Sequence, residues 1–409
     1  MKNFKKKDGI TLIALVVTIV VLLILAGVSI SLVIGQNGLI SKAKEAKEKT
    51  EQATANEQAS MSELYDELTG YLGELPSTNE TKPYLPTGFN KVAGTNLDTG
   101  LVIQDGSGNQ YVWVEVLMNE TVYPTAGLEV TNFTDQEYTA IENDLHTYTS
   151  TYRNGTGYTD TYYPDTDNTG WFANETEYNT AKQKMLKSVY QNGRFYVGRY
   201  ETGIAYDDAN GSRSFGSDTS TVHEAKQTPV IKANAYPYNW VRRTQAKVLA
   251  ESMYSGDRTS SLMFGVQWDL ILKYLETKEV ATQDELKTDS RDIGNYSNAT
   301  FNVTNTSAKY STDNGTTWSL VTTEGYKKPS YPVLLTTGAN EKRNSQMNIC
   351  DLAGNVWDFT LENTSYTNQP CAPRGGIYDN NGSACTASYR GNSYVDRSYH
   401  NVGFRVSLY

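Results

Sequence analysis

Residues 10–34 form an unbroken run of twenty-five residues without a charge, and they follow Lys5-Lys6-Lys7-Asp8-Gly9 at the start of the chain. At about 1.5 Å per residue, a helix of that length spans the roughly 30 Å hydrocarbon layer of a bilayer with some tilt. Lysines on the N-terminal flank hold that end in the cytosol, so the remaining chain is expected outside. A cleaved secretory signal has a shorter apolar core and a small-residue exit site. Ala26, Gly27 and Ser29 offer such a site, which makes a signal peptide the alternative reading.

A chain of 409 residues exceeds the usual single core, which predicts an anchor, a stalk and one large or two smaller globular units. The net charge of −10 argues against nucleic acid as a partner, because phosphate binding needs a basic face. Thirty Tyr against ten Phe, among abundant Asn, Thr, Gly and Ser, suits an extracellular domain rich in strands and loops. The three cysteines, Cys350, Cys371 and Cys385, allow one disulfide; Cys371 with Cys385 is the pairing expected, although spacing alone does not choose. No zinc spacing is present, and three His in total argue against a His-based metal or catalytic centre.

Beyond the apolar run, opposite charges at helical spacing (Lys42, Glu45, Lys49 and their neighbours) predict an exposed helix over 35–75. Pro76, Pro83 and Pro86 then mark a linker over 76–87. From residue 88 the texture changes to short strands and turns. Strands at 101–103 and 111–116 flank an Asp-Gly-Ser-Gly-Asn turn and predict a hairpin, and a further strand is expected at 194–201. Helices are expected at 175–190, 243–253 and 266–275, and polar surface loops at 147–169 and 295–314. Whether residues 88–192 form a separate small domain stays open.

Basic residues, Gly9, and Ile10-Thr11-Leu12-Ile13 opening directly into the apolar run resemble the prepilin N-terminus of type IV pilins and pseudopilins. The resemblance implies a leader over 1–9, cleavage after Gly9 and methylation of the new N-terminus at Ile10. It also implies a membrane helix able to pack with type IV pilus subunits. That family usually has Glu at the fifth mature position, where this chain has Ala14. The departure points to a tip or membrane-anchor role rather than a major filament subunit.

A second set of motifs recurs in order: 198–202 (Gly-Arg-Tyr-Glu-Thr), Thr228-Pro229-Val230 before Asn239-Trp240-Val241, residues 351–358, Arg374-Gly375-Gly376, and Gly403-Phe404-Arg405. The string resembles the formylglycine-generating enzyme or sulfatase-modifying-factor family, whose fold is a variant of the C-type lectin fold. The expected class is therefore α+β: a long N-terminal transmembrane, pilin-like helix followed by a C-type-lectin-like mixed domain over 88–409. Gly354, Gly375 and Gly376 are read as sites of tight backbone geometry. Trp357 and Phe404 are read as core anchors, and Arg374 and Arg405 as loop ties. Enzymes of that family use two cysteines to bind copper and oxidise a substrate cysteine. The corresponding positions here fall near Asn380 and at Cys385, and one thiol cannot supply that site. The resemblance also implies calcium at Asp351, Gly354, Val356 and Asp358; the same spacing equally suits hydrogen-bonded loop carboxylates.

The last 39 residues, 371–409, contain no Lys, Glu, Gln, Met or Trp. Every type present is encoded by codons ending in a pyrimidine, the set that adenine-directed mutagenesis of asparagine codons produces. A tail of this kind, ending near Gly-Phe-Arg, resembles the variable proteins of diversity-generating retroelements, whose C-terminal region lines a binding surface. The candidate ligand-binding positions are Tyr378, Asp379, Asn380, Asn381, Ser383, Ser388, Tyr389, Asn392, Ser393, Tyr394, Asp396, Ser398, Tyr399 and His400. Their chemistry suits a paratope, with Tyr as rigid contact area and Ser and Asn as adaptable hydrogen-bonding groups. The expected function is a cell-surface, pilin-anchored, non-enzymatic protein that binds a protein or glycan ligand. The alternatives are an extracellular formylglycine-generating-type oxidase and a minor structural pilin.

Overall fold

Tyr111-Val112-Trp113-Val114 places four apolar residues in succession, the pattern of a strand covered on both faces, and all four are fully buried in a sheet. The computed structural model describes residues 85–409 except 129–131, 154–156, 166–169, 205–226, 257, 322–325 and 340–344; of the first 84 it describes 17, 19–22 and 47. The chain divides into two compact units, Met1–Thr78 and Asn79–Tyr409, a boundary within the Pro-containing stretch. The leader, the apolar run with Gly9, Ile10 and Ala14, and the spacer helix lie outside the described residues, apart from 17, 19–22 and 47, which are helical. Among the described residues no helix is long and apolar enough to cross a membrane.

The strands that build the second unit's core are β1 (Phe89–Lys91), β2 (Val102–Asp105), β3 (Gln110–Glu115), β4 (Arg194–Gly198), β5 (Ser260–Leu262), β6 (Trp357–Thr364), β7 (Cys371–Arg374), β8 (Val402–Phe404) and β9 (Val406–Leu408). Six of them form one antiparallel sheet in the order β1-β2-β3-β4-β9-β5. Residues 88–192 therefore belong to the same unit as the C-terminus, because β3 pairs with β4 and β4 with the last strand. The β2–β3 turn is closed by Asp105, whose Oδ1 accepts from the Ser107 and Asn109 amides at 2.9 and 2.8 Å. In a second sheet β6 lies between β7, antiparallel to it, and β8, parallel to it.

Among the described residues five α-helices complete the unit: α1 (Asp135–Tyr148), α2 (Glu175–Asn192), α3 (Arg243–Ser252), α4 (Gly265–Thr277) and α5 (Gln283–Lys287). Three match expectation closely; α1 and α5 were not anticipated, although both open on a capping box, Thr134 with Glu137 and Thr282 with Glu285. α2 ends where Gly193 takes a left-handed conformation, φ 63°. α4 touches β3 of one sheet and β6 of the other, and so joins the two layers.

The chain passes from β8 to β9, and thus between sheets, through a single residue. That residue is Arg405, with no exposed surface. Its Nε donates to Asp358 Oδ2 at 3.1 Å and Nη1 to the Gly198 carbonyl at 2.9 Å. Nη2 donates to the carbonyls of Cys350 and Asp351 at 2.8 and 3.0 Å. One guanidinium thus satisfies the end of β4, the start of β6 and the turn before it, a geometry an ammonium cannot copy. Replacing Arg405 with Leu, which leaves Asp358 buried without its cation, should lower unfolding free energy by about 3–5 kcal/mol, the scale for breaking a buried charged pair. Denaturant titration would show this as a lower midpoint at unchanged slope.

Candidate functional site

After β7 the chain leaves the sheet at Gly375-Gly376 and returns at residues 390–393, which bridge back to β7 as Arg374 to Arg390 and Cys371 to Ser393. The Gly376 site admits no side chain: a Cβ there would lie 2.4 Å from the Cys385 carbonyl and closer still to Tyr296. The excursion between has no regular structure, yet scaffold groups bind its backbone. The Ser388 amide donates to the Leu286 carbonyl at 2.9 Å, the Ala387 amide to Ser290 Oγ at 2.9 Å, and Trp268 Nε1 to the Ala387 carbonyl at 3.0 Å. Gly382 donates to Asn298 Oδ1 at 3.1 Å, and the Ser297 amide to the Asn380 carbonyl at 2.9 Å. The later stretch is held by Asn239 and Trp240, which donate to the carbonyls of His400 and Tyr399 at 2.7 and 2.9 Å.

Two buried carboxylates fix the ends of this excursion. Arg374 donates to Asp269 Oδ1 at 2.8 Å and to Glu362 Oε2 at 3.4 Å. Arg390 donates to both oxygens of Glu362 at 3.0 and 3.1 Å and also pairs with Asp269. Arg153 adds a bond to Asp269 Oδ2 at 3.1 Å. The described part of the stretch 147–169 is thus not wholly at the surface: Tyr152, Asp160 and Asp165 within it are buried. Asp160 accepts from the first amides of α4, Gly265 at 2.7 Å and Val266 at 3.0 Å, and so caps a helix whose own N-cap residue, Phe264, has no acceptor.

Of the fourteen tail positions expected to face a ligand, Asn381, Ser383, Tyr389, Asn392 and Asp396 are exposed, and Asp379, Asn380, Tyr394, Tyr399 and His400 are half-buried. Tyr378, Ser388, Ser393 and Ser398 are buried, which corrects the expectation for those four. Tyr378 is taken up internally: its hydroxyl bonds Asn314 Oδ1 at 2.8 Å and His400 Nδ1 at 2.7 Å. The exposed side chains carry little of the structure. Asn381 accepts from Ser297 at 3.0 Å, and the Tyr389 ring lies parallel to Trp357 at 5.9 Å between centroids. Trp357 is itself only half-buried, rather than the core anchor expected, whereas Phe404, Arg374 and Arg405 are fully enclosed.

The three cysteines are free and buried, so the expected Cys371–Cys385 disulfide does not form. Cys371 lies in β7, and Cys385 faces the excursion's own Asn380, whose Nδ2 is 3.3 Å from Sγ. Burial, with the Asp379 charge second, pushes the Cys385 thiol up to about 11.

Two of the expected calcium positions, Asp351 and Asp358, contact Arg405. Asp358 gives Oδ2 to that guanidinium, Asp351 gives Oδ2 to the Gly338 amide at 2.7 Å, and the Val356 amide donates to Glu201 Oε1 at 3.1 Å. Gly354, at φ 76°, packs so tightly on the Asn295 backbone that a Cβ would meet its oxygen at 2.1 Å. The positive charge beside Asp358 is therefore already a guanidinium, and of the two readings of this spacing the geometry favours hydrogen-bonded carboxylates. Among the described residues the three-member group with ligand atoms close enough for a metal is Glu142, His146 and Asp160. Lys182 Nζ stands 2.9 Å from Glu142 Oε2 there, the place a cation would take.

A cavity of about 280 Å3 opens beside the excursion, lined by Tyr158, Lys287, Ser383, Ala384, Thr386, Ser388, Tyr389 and Arg390. Tyr158 and Lys287 come from outside the tail, and the sequence reading missed both. Tyr158 is placed by a two-residue strand pairing with β6, and its hydroxyl donates to the Arg390 carbonyl at 3.0 Å. No local signal marked either residue.

Two mixed layers tied by buried arginines, with a long irregular excursion before the last strands, define a C-type-lectin-like domain. The chain belongs to the sulfatase-modifying-factor family: the model of the Sulfatase-modifying factor enzyme 1-like domain matches residues 191–408, more than half of the chain. Comparison with curated proteins gives no match. Among solved structures, Treponema denticola variable protein 1 is similar over 53% of this chain and 84% of that chain, at 13% identity and a TM-score of 0.26.

Burial, together with the charges of Asp351 and Asp358, raises the Glu201 carboxyl well above its usual range, and burial raises Asp358 to about 6 against the pull of Arg405. Between the unfolded and folded values the unfolded chain binds fewer protons, so stability falls as pH rises. For Asp358 that window runs from 3.8 to about 6. Melting temperature should therefore rise as pH falls from 7 towards 5. Asp358→Asn keeps an oxygen for Arg405 and should flatten that slope, by up to about 1.4 kcal/mol per pH unit.

Proposed function

We propose that the second unit is a ligand-binding head that performs no oxidation, carried at the cell surface by the apolar N-terminal segment and presenting the exposed side chains within residues 377–400 outward. The observation that carries this reading is Asn380 beside Cys385. At the two positions where the family resemblance expects copper-binding thiols, a carboxamide faces one thiol at 3.3 Å. A soft copper ion needs thiolate donors. A single thiol held near 11 is protonated at neutral pH and is a poor ligand and nucleophile.

The exposed positions support the binding half. Ser383 and Asn392 project from stretches whose neighbouring backbone is hydrogen-bonded to the rest of the unit, and Asn381 and Asp396 are exposed as well, so side chains here can vary at little cost to the fold. On this reading the tail is diversified by a retroelement, with the pyrimidine-ending codon set as its trace. The pilin-like start makes type IV pilus subunits the expected neighbours at a filament tip or membrane anchor.

Two measurements test the proposal. The full chain in detergent, incubated with copper(I) and a cysteine-containing peptide, should leave the peptide mass unchanged; formation of a peptide aldehyde would overturn the non-catalytic reading. Gene sequences from sister isolates should differ mainly at the exposed tail positions and remain fixed at Arg374, Arg390 and Arg405. Changes spread evenly along the gene would remove the case for diversification.

A further inference from the structure

The cavity between Tyr158, Lys287 and Tyr389 combines three features that together select a ligand chemistry. Its size, about 280 Å3, lies at the small end of ligand pockets and suits a single small molecule or one ring of a larger one. Its lining is rich in hydroxyls: Ser383, Thr386, Ser388, Tyr158 and Tyr389. Thr386 and Ser388 are each 5% exposed, and their hydroxyls meet at 3.2 Å.

The charge in this cavity is uneven. Arg390 forms part of the wall, but Glu362 and Asp269 already engage its guanidinium. Lys287, half-buried in the last turn of α5, has no ion-pair partner among the described residues. The acids near it are otherwise engaged: Asp284 accepts from Thr288, Glu285 closes the α5 capping box, and Asp289 lies 3.9 Å from Arg291. One uncommitted ammonium among hydroxyls favours a ligand with one negative charge and several hydroxyls. Tyr389, 38% exposed and backed by the parallel Trp357 ring, adds a flat aromatic surface of the kind that packs against the apolar face of a sugar ring.

We propose that this cavity binds a carboxylate-bearing sugar ring, with Lys287 receiving the carboxylate, Ser383 and Thr386 the ring hydroxyls, and Tyr389 the ring face. The inference rests on the ligand-binding reading and gives it a substrate class. It also makes recognition composite, because Lys287 and Tyr158 belong to the scaffold, so charge selection persists while exposed tail positions vary.

The test uses the full chain in detergent, with tryptophan fluorescence and calorimetry as readouts and glucuronate, glucose and inorganic phosphate as probes. Glucuronate should bind measurably, with glucose and phosphate each weaker by about tenfold or more, the scale of one charge-assisted hydrogen bond. Lys287→Gln should bring glucuronate to the level of glucose, and Tyr389→Ala should weaken both sugars, with the melting temperature unchanged in each variant. An oligosaccharide ending in glucuronate distinguishes a glycan terminus from the free sugar by binding more tightly than the monosaccharide. Equal affinity for glucuronate and glucose, equal affinity for phosphate, or no effect of Lys287→Gln would overturn the assignment. Glucuronate binding that is lost in Asn392→Ala or Asp396→Ala and indifferent to Lys287→Gln would overturn the assignment and spare the binding reading.

Discussion

Asp269 and Glu362 have no exposed surface, come from α4 and β6, and together hold Arg153, Arg374 and Arg390, which stand at the irregular parts of the chain. Burying such ions costs several kcal/mol each before pairing offsets it. Apolar residues of similar volume would fill the space at lower cost, so the distinctive contribution of the network is direction. Each guanidinium offers five donors in a rigid fork, so two carboxylates fix the position and the angle of every arm. The excursion from Gly375 to residue 390 begins and ends on the same pair of acids. Its path is set before any exposed side chain is chosen.

That arrangement separates two jobs along one stretch of sequence. Backbone amides and carbonyls, the Ser388 carbonyl among them, with the buried side chains of Tyr378 and Arg390, hold the shape. Exposed side chains at 381, 383, 392 and 396 leave the shape alone, and substitutions at such places usually change stability by no more than about 0.5 kcal/mol. Arg405 plays the matching part at the sheet crossing, where one residue satisfies three segments.

The sequence made the periodic elements legible. α2, α3, α4 and the β2–β3 hairpin were readable because their apolar spacing and turn residues are local signals. The ordered family motifs located Arg374, Arg405 and the tight glycines for the same reason: each motif is short and contiguous. What stayed hidden depends on partners far along the chain. Asp160 caps α4 from 105 residues away, and Lys287 and Tyr158 meet the tail only in three dimensions. Small polar residues also read alike whether they face water or satisfy a buried neighbour, so Ser388, Ser393 and Ser398 could not be told from Ser383. Cysteine spacing was silent on side-chain direction, and Cys371 and Cys385 turned out to belong to separate environments.

Asn380 marks where catalysis and display would compete. A copper centre needs two thiolates held at fixed geometry, with their supporting neighbours equally fixed. The excursion that carries Asn380 and Cys385 also carries Asn381 and Ser383, both exposed. Side chains beside a metal centre cannot change freely without disturbing it. Once one thiol position holds a carboxamide, that restriction ends, and the neighbouring positions need satisfy only the backbone bonds to Ser297, Asn298 and Ser290. On the proposed reading, exchanging one of the two thiols for an amide is what turns a reactive loop into a recognition loop on an unchanged scaffold.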